Sequence, residues 1–338
     1  MLIEENLWEP GLQLVYEQLT GQPDPTSLLS IVVCAYRHAQ YIDECLASID
    51  SSKSGEIELV VIDDGSPDDT LKRCIDFPFR KDIAVRIYTK RNQGLTHSLR
   101  IGLGLARGRY MAIMASDDLY QHGAIDGVLE SIVSMDVEPD AVLCQATFLG
   151  TQTDGKAVYD QTMQEFFDST SQERVRSICT VFPKPMLLQA TVFKTNFLRG
   201  IRPWSDGLDL DDWPTFIRLF LAEAGQGATV VYMPSLRLCK YRLHEGGIHN
   251  NHDRQLRITE QVAQQLVPQV YRADSLANLR LDWGILHIRD GRLKQGLALC
   301  LSGLRESSSW PVIERLLIRV RKSFALMVRA LIFRRPSQ

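Results

Sequence analysis

The sequence is short of several features that would place it quickly. It has no C-x-x-C pair: its seven cysteines, Cys34, Cys45, Cys74, Cys144, Cys179, Cys239 and Cys300, are scattered and odd in number. That argues against a disulfide scaffold or a structural zinc site and points to small buried thiols in a reducing compartment. No apolar h-region follows the acidic start, Met1-Leu2-Ile3-Glu4-Glu5, so no secretory signal is expected. No window reaches about 18 uninterrupted apolar residues, so no transmembrane helix is expected. Strong net charge is missing too: the formal value of −3 gives no support to a nucleic-acid partner, and none is expected. What is left is an ordinary globular composition, 45% apolar and 23% charged, over 338 residues. That length allows one large domain with additions, or two smaller ones.

What is present is organised around Gly108-Arg109-Tyr110-Met111-Ala112-Ile113-Met114-Ala115-Ser116-Asp117-Asp118. Tyr110 to Ala115 runs without a polar break between turn and charged residues, the pattern of a central parallel strand covered on both faces. In open α/β sheets ligands bind outside the carboxyl ends of strands, where Asp117 and Asp118 would fall. Upstream, strands are expected at 28–35, 58–63 and 85–89. Helices alternate with them, marked by Tyr41, Ile42, Cys45, Leu46 and Ile49, then by Pro67 to Asp76, then by Leu95, Leu99, Leu103 and Ala106 with Gly108 as the stop. A helix near 124–134 and a strand over 141–148 follow. Short connections between alternating strands and helices predict a mostly parallel sheet with right-handed crossovers.

At the start, Leu12, Val15, Tyr16 and Leu19 read as a leading helix ahead of a Gly/Pro-rich linker. After Gly150 the alternation is lost. Residues 211–222 read as a helix with Trp213, Phe216, Ile217, Phe220 and Leu221 on one face, and strands follow at 229–233 and 236–243. From about Asp253 the periodicity is helical, with a hairpin turned at Asp290-Gly291. The expected division is 1–27, a main domain over 28–252 with halves at 28–150 and 151–252, and a helical extension over 253–338.

Four constellations could carry chemistry. Tyr36 with Asp63 and Asp64 offers a flat apolar face and an acceptor for a ring N–H, as a base pocket needs; the same acids suit a turn with capping carboxylates. Ser116-Asp117-Asp118 could hold Mg²⁺ or Mn²⁺ against a diphosphate, or could cap a helix. Asp211 and Asp212, within Asp209-Leu210-Asp211-Asp212-Trp213, would be held ionised by a helix start and could accept a hydroxyl proton, although acidic first turns are common in any helix. Tyr241-Arg242-Leu243-His244 could contact phosphate or a metal, but with His249 and His252 it fits no standard zinc spacing. Gly102-Leu103-Gly104-Leu105-Ala106-Arg107-Gly108 is set aside as a dinucleotide loop, because it lies in a helical stripe before a strand rather than after one.

In this order the pieces resemble family 2 glycosyltransferases of the GT-A fold, a Rossmann-like sheet flanked by helices. The matching text is Ser30-Ile31-Val32-Val33-Cys34-Ala35-Tyr36, then Val60-Val61-Ile62-Asp63-Asp64-Gly65-Ser66, Asn92-Gln93-Gly94-Leu95, Ala106-Arg107-Gly108-Arg109-Tyr110 and Ser116-Asp117-Asp118. Asp211-Asp212-Trp213 and Tyr241-Arg242-Leu243-His244 complete the set. The resemblance implies a nucleotide-binding half, an acceptor-binding half and a helical C-terminal extension. It implies donor contacts at Ala35, Tyr36, Asp63 and Asp64, at Asn92, Gly94 and Arg100, and at Ser116, Asp117, Arg242 and His244. It further implies a Mn²⁺ or Mg²⁺ ion on Asp117, Asp118 and His244, and Asp212 as catalytic base beside Asp211.

Departures from the family pattern stand at Ala115, where an aspartate of the D-x-D element often lies, and at Cys34, Leu99-Arg100 and Asp211. The implied activity is inverting transfer from a nucleotide-diphosphate sugar, a UDP-sugar by preference, to a glycan, lipid-linked or protein hydroxyl. The alternative is a nucleotide-sugar-binding protein, weakened in catalysis, that acts as an interaction module. At the C-terminus Val312, Leu316, Val320, Phe324, Met327 and Leu331 form an apolar face among Arg315, Arg319, Arg321, Lys322, Arg329, Arg334 and Arg335. Residues 311–335 are therefore expected to meet an anionic membrane, the domain itself or a dimer partner, in a cytoplasmic protein or one on a membrane's inner face.

Overall fold

The computed structural model describes residues 10–19, 28–53, 56–150, 153–181, 186–204, 207–243 and 252–320. The chain divides into two compact units, Met1–Arg174 with Pro185–Gly247, and Val175–Lys184 with Ile248–Gln338.

The first unit is built on nine strands: β1 (Gln13–Gln18), β2 (Leu29–Ala35), β3 (Ile57–Asp63), β4 (Ala84–Thr89), β5 (Tyr110–Ala115), β6 (Leu119–Tyr120), β7 (Ala141–Leu149), β8 (Thr191–Lys194) and β9 (Val230–Arg242). They form one sheet in the order β1-β4-β3-β2-β5-β8-β7-β9-β6. Its helices are α1 (Ile42–Ala47), α2 (Thr70–Asp76), α3 (Leu95–Leu105), α4 (Ala124–Val133), α5 (Gln161–Asp168), α7 (Thr195–Ile201) and α8 (Asp212–Gln226), with α6 (Ser171–Thr180) running into the second unit.

Strands β4, β3, β2 and β5 are parallel neighbours, as the alternation predicts, and β2 and β3 are buried along their whole length. Beyond them the sheet is mixed: β1 on β4, β8 on β5, β7 on β8 and β6 on β9 are antiparallel, while β7 and β9 are parallel. The chain steps outward from β2 through β3 to β4 and then returns to the other side of β2 as β5. Strand order therefore reverses between β2 and β5, the position where an open α/β sheet takes its ligand.

A buried polar node braces the opposite ends of these strands. Glu58 pairs with Arg86 at 2.8 Å, and accepts from Ser30 Oγ and the Arg107 amide, both at 2.5 Å. Gly108 belongs to this node and is not the C-terminal stop of α3, which ends at Leu105 with Ala106 extended. Its amide donates to Ser30 Oγ at 2.7 Å, and a Cβ there would stand 2.5 Å from the Ser30 amide nitrogen. Only a bare backbone fits.

Two sequence expectations are corrected. The leading helix is absent from the described part of residues 1–27, because Gln13–Gln18 pairs with β4 as an edge strand. Six residues rich in branched and aromatic side chains gain more from an open sheet edge than from a short isolated helix. Tyr16 packs on Phe79 with ring centroids 5.9 Å apart, and Gln18 Nε2 donates to the carbonyls of Arg80 and Ile83. The strands expected at 229–233 and 236–243 are one strand. Its register shift, with Cys144 opposite Met233 and Gln145 opposite Arg237, absorbs Pro234, which has no N–H to offer the ladder.

The second unit is helical: α9 (His252–Leu266), α10 (Gln269–Arg289) and α11 (Leu293–Glu306), with residues 310–320 also helical. The α10–α11 hairpin turns at Asp290-Gly291 as expected, with Gly291 at φ 83°. Bare backbone allows the two helices to touch: a Cβ on Gly296 would stand 2.5 Å from the Gly284 carbonyl oxygen. Val312 is fully buried against Ala277 and Leu281, with Leu316 packed beside them. The described start of the basic C-terminal stretch thus packs within its own unit, while Phe324, Met327, Leu331 and the basic residues from Arg321 onward lie outside the described residues. All seven cysteines are free, and all but Cys300 are buried. Among the described residues no helix is long and apolar enough to cross a membrane.

Candidate active site

Backbone register assembles the site first. Ala35, Asp63 and Thr89 stand level across β2, β3 and β4, so the turns after them open on one rim, and the turn after Ala115 joins across the β2–β5 crevice. Tyr36 begins the first turn with its residue 38% exposed and the Arg37 guanidinium 5.9 Å from its ring centroid; Ala35 is buried.

The β3 acids are committed to internal bonds. Asp63 accepts from Thr89 Oγ1 at 2.9 Å and from the Ser66 amide at 3.2 Å. Asp64 accepts from the Gln93 and Gly94 amides at 2.9 and 2.8 Å and forms a buried ion pair with Lys90. Through these bonds the loop holding Asn92 and Gly94 is tied to the end of β3. Asn92 and, further along α3, Arg100 are exposed.

At the end of β5, Ser116 is fully buried, with Oγ 2.8 Å from His38 Nδ1; Asp117 Oδ1 lies 3.8 Å from the same nitrogen. Asp118 is 1% exposed: its Oδ1 accepts from the Arg242 amide at 2.7 Å, and its Oδ2 is buried without a hydrogen bond. Burial, and then the Asp117 charge, push the Asp118 carboxyl well above the usual range. The Arg242 guanidinium donates to the Asp117 carbonyl, pairs with Glu44 at 2.7 Å and sits 4.8 Å over the Tyr41 ring. Arg242 therefore fastens the end of β9 to the β5 turn. His244 lies outside the described residues, as does His249; His252 opens α9 in the other unit, 2.9 Å from Asp290.

Asp212 opens α8 and accepts from the Trp213 amide at 2.5 Å. The helix start does not hold it ionised as expected: burial, and then the like charge of Asp211, push its carboxyl up from 3.8 to about 7. The turn before it is pinned through the Asp211 carbonyl, which accepts from Trp204 Nε1 and Thr215 Oγ1 at 3.2 and 2.7 Å.

Two groups, half-buried Tyr241 and buried Cys34, register how the sequence-distant acids converge. The Tyr241 hydroxyl is pushed up to about 12, first by burial and then by Asp118, Asp117, Asp212 and Asp211. The Cys34 thiol is raised by burial and then by Asp64, with Asp211 adding to it. Asp117, Asp118, Asp211 and Asp212 thus gather around Tyr241, and Asp64 and Asp211 around Cys34.

Among the described residues no three His, Cys, Asp or Glu side chains gather closely enough to hold a metal unaided. Mg²⁺ and Mn²⁺ do not require that, since one or two carboxylates plus substrate phosphates suffice. The oxygen donors of Asp117 and Asp118 fit such an ion, and the orphaned Asp118 Oδ2 is the kind of atom a cation would satisfy. Sequence reasoning passed over His38, Lys90 and Glu44. None belongs to a motif, and only the strand order, which sets β2 beside β5, could have pointed to His38.

Fold comparison defines the class. The structure of TarS 1-349 from S. aureus matches with a TM-score of 0.55 at 17% identity, over 82% of this chain and 79% of that one. The same fragment has been solved in complex with UDP-GlcNAc, matching with a TM-score of 0.51. The mannosyltransferase PcManGT from Pyrobaculum calidifontis, solved with GDP-Man and Mn²⁺, matches with a TM-score of 0.53 at 18% identity, over 90% of this chain and 82% of that one. The fold is GT-A. The model of glycosyl transferase family 2 matches residues 30–194 of the chain. An uncharacterized glycosyltransferase of Haemophilus influenzae is 37% identical over 123 residues, 36% of each chain. Glycosyltransferase GlyG of Streptococcus pneumoniae is 28% identical over 142 residues, 42% of this chain and 46% of that one. The matches thus span less than half of these curated relatives.

Proposed function

We propose that this chain is an inverting glycosyltransferase that moves a sugar from a nucleotide-diphosphate sugar to a hydroxyl on a glycan, a lipid-linked glycan or a protein. Asp212 carries the reading: a carboxyl near pKa 7, at a helix start among the strand-end acids, exchanges protons at physiological pH. UDP-GlcNAc in TarS favours a UDP-sugar, and Mn²⁺ in PcManGT favours a divalent metal. In this reading 28–150 is the donor half and 151–252 the acceptor half.

Tyr36 offers its ring to the base, and Asp63 and Asp64 hold the loops around it. Ala35, Asn92, Gly94, Arg100 and Ser116 complete the donor rim, with Arg242 and His244 on the diphosphate side. Asp117 and Asp118 would hold the divalent ion. The acceptor hydroxyl gives its proton to Asp212, and its oxygen attacks the anomeric carbon opposite the diphosphate. The bond to the diphosphate breaks, its electron pair leaves with the nucleotide, and the centre inverts. When bound, the ion offsets the charge developing on the leaving diphosphate. Asp211 keeps the proton affinity of Asp212 high, and no second carboxylic acid is required, unlike in glycoside hydrolysis.

Calorimetric titration of UDP in the presence of Mn²⁺ tests the donor site. Asp117→Ala should weaken metal-dependent binding by at least about tenfold. An unchanged titration would remove Asp117 from the site.

The partner surface we assign to the C-terminal extension is an anionic membrane. Residues 289–338 hold eleven basic against three acidic residues in a chain of net charge −3. Leu293, Leu297 and Leu301, at helical spacing on α11, are each more than half exposed. A cytoplasmic station on a membrane's inner face, and a lipid-linked acceptor, go with that contact. Full-length chain should float with anionic liposomes and lose flotation when residues 321–338 are removed and Leu293, Leu297 and Leu301 are changed to Ser; equal flotation of both would sink it.

A further inference from the structure

We propose that His38 replaces the carboxylate missing at Ala115 and, with Asp117, takes the divalent cation of the donor site through its imidazole nitrogen. The inference rests on the nucleotide-sugar reading above. Position 115 is the last of β5, paired with Cys34 of β2, so its methyl group stands at the crevice where strand order reverses. His38 spans that crevice from the β2 side. Its Nδ1 lies 2.8 Å from Ser116 Oγ and 3.8 Å from Asp117 Oδ1, the latter within the span of about 4.2 Å that one cation about 2.1 Å from each donor can bridge.

The loop is built to hold that ring. Arg37 takes a left-handed φ of 58°, unusual for a residue with a side chain and the sort of local cost found where position matters. The His38 amide donates to Thr70 Oγ1 at 2.9 Å, its carbonyl accepts from the Tyr41 and Ile42 amides at 2.9 Å, and its ring meets the Tyr41 ring edge-on at 5.8 Å. A second observation points to a ligand. Asp118, next in line after Asp117, keeps Oδ2 buried and unbonded in a residue only 1% exposed. Ser116 Oγ orients the imidazole and yields the nitrogen when the cation arrives. One imidazole among oxygen donors moves the site's preference from Mg²⁺ toward Mn²⁺, because nitrogen is the softer ligand.

Electron spin-echo spectroscopy of Mn²⁺ bound to the full chain with UDP reads the ligand directly. The wild type should show imidazole nitrogen modulation, absent in His38→Ala. That variant should also bind Mn²⁺ in the presence of UDP on the order of tenfold more weakly. His38→Asp should recover binding with a shift toward Mg²⁺. Mn²⁺ bound with UDP but without nitrogen modulation overturns the inference and leaves the donor reading standing. Failure of the wild type to bind UDP with Mn²⁺ at all overturns both.

Discussion

Half-buried Asp212 and buried Asp282 are acids, one in each unit, whose proton affinity is raised in opposite surroundings. Asp282, on α10, faces Arg315 at 3.2 Å and Arg319 at 2.5 Å, and burial pushes it up to about 6 against those two cations. The leading charge on Asp212 is another acid, Asp211, which adds to the effect of burial and takes it to about 7. A buried carboxylate given countercharges is a fastening: its charge joins one helix to the next. One given a neighbour of the same sign is held ready to take a proton. The raised pKa alone does not separate the two cases; the sign of the neighbouring charge does.

Removing each carboxylate tests this contrast. Asp212→Asn should lower turnover on the order of 10²- to 10⁴-fold while leaving UDP binding nearly intact, read by steady-state kinetics and calorimetry. Normal turnover in that variant would end its assignment as the base. The base must be ionised to act, so wild-type kcat/KM should rise with pH through about 7 and level off above. The same shift has a cost to stability. Because the folded state holds the Asp212 proton more tightly than the unfolded chain, stability should fall as pH rises from about 4 to about 7.

Asp282→Ala should leave turnover unchanged but destabilise the helical unit by about 2 kcal/mol, since two part-buried guanidinium groups lose their partner. Scanning calorimetry should show the lower melting temperature. Lost turnover with unchanged melting would reverse the two roles.

Much of the first unit was legible because its strands are unbroken apolar runs. β2, β3 and β5 need no partner to be read, and their ends carry Tyr36, Asp63-Asp64 and Asp117-Asp118 as sequence neighbours. Where the signal was short or ambiguous it failed. Leu12, Val15, Tyr16 and Leu19 suit a helix or an edge strand, and only the open edge of β4 decided between them. Pro234 reads as a break, yet the ladder steps around it. Gly108 reads as a helix stop, although its reason is the Ser30 backbone lying against it. His38 carries no local signal at all.

The sequence by itself determined where acids fall on the elements: after β3, after β5 and at the start of α8. Strand and helix periods are local, and a run of ten or so residues is enough to express them. Only the tertiary structure decided what each acid is for. Asp63 and Asp64 are consumed by Thr89, Lys90 and the amides of the next loop, Asp118 is half satisfied by Arg242, and Asp212 is left beside a like charge. Hydrogen bonds, burial and the sign of the nearest charge come from residues far away in the chain, and these set a carboxylate's proton affinity and reach.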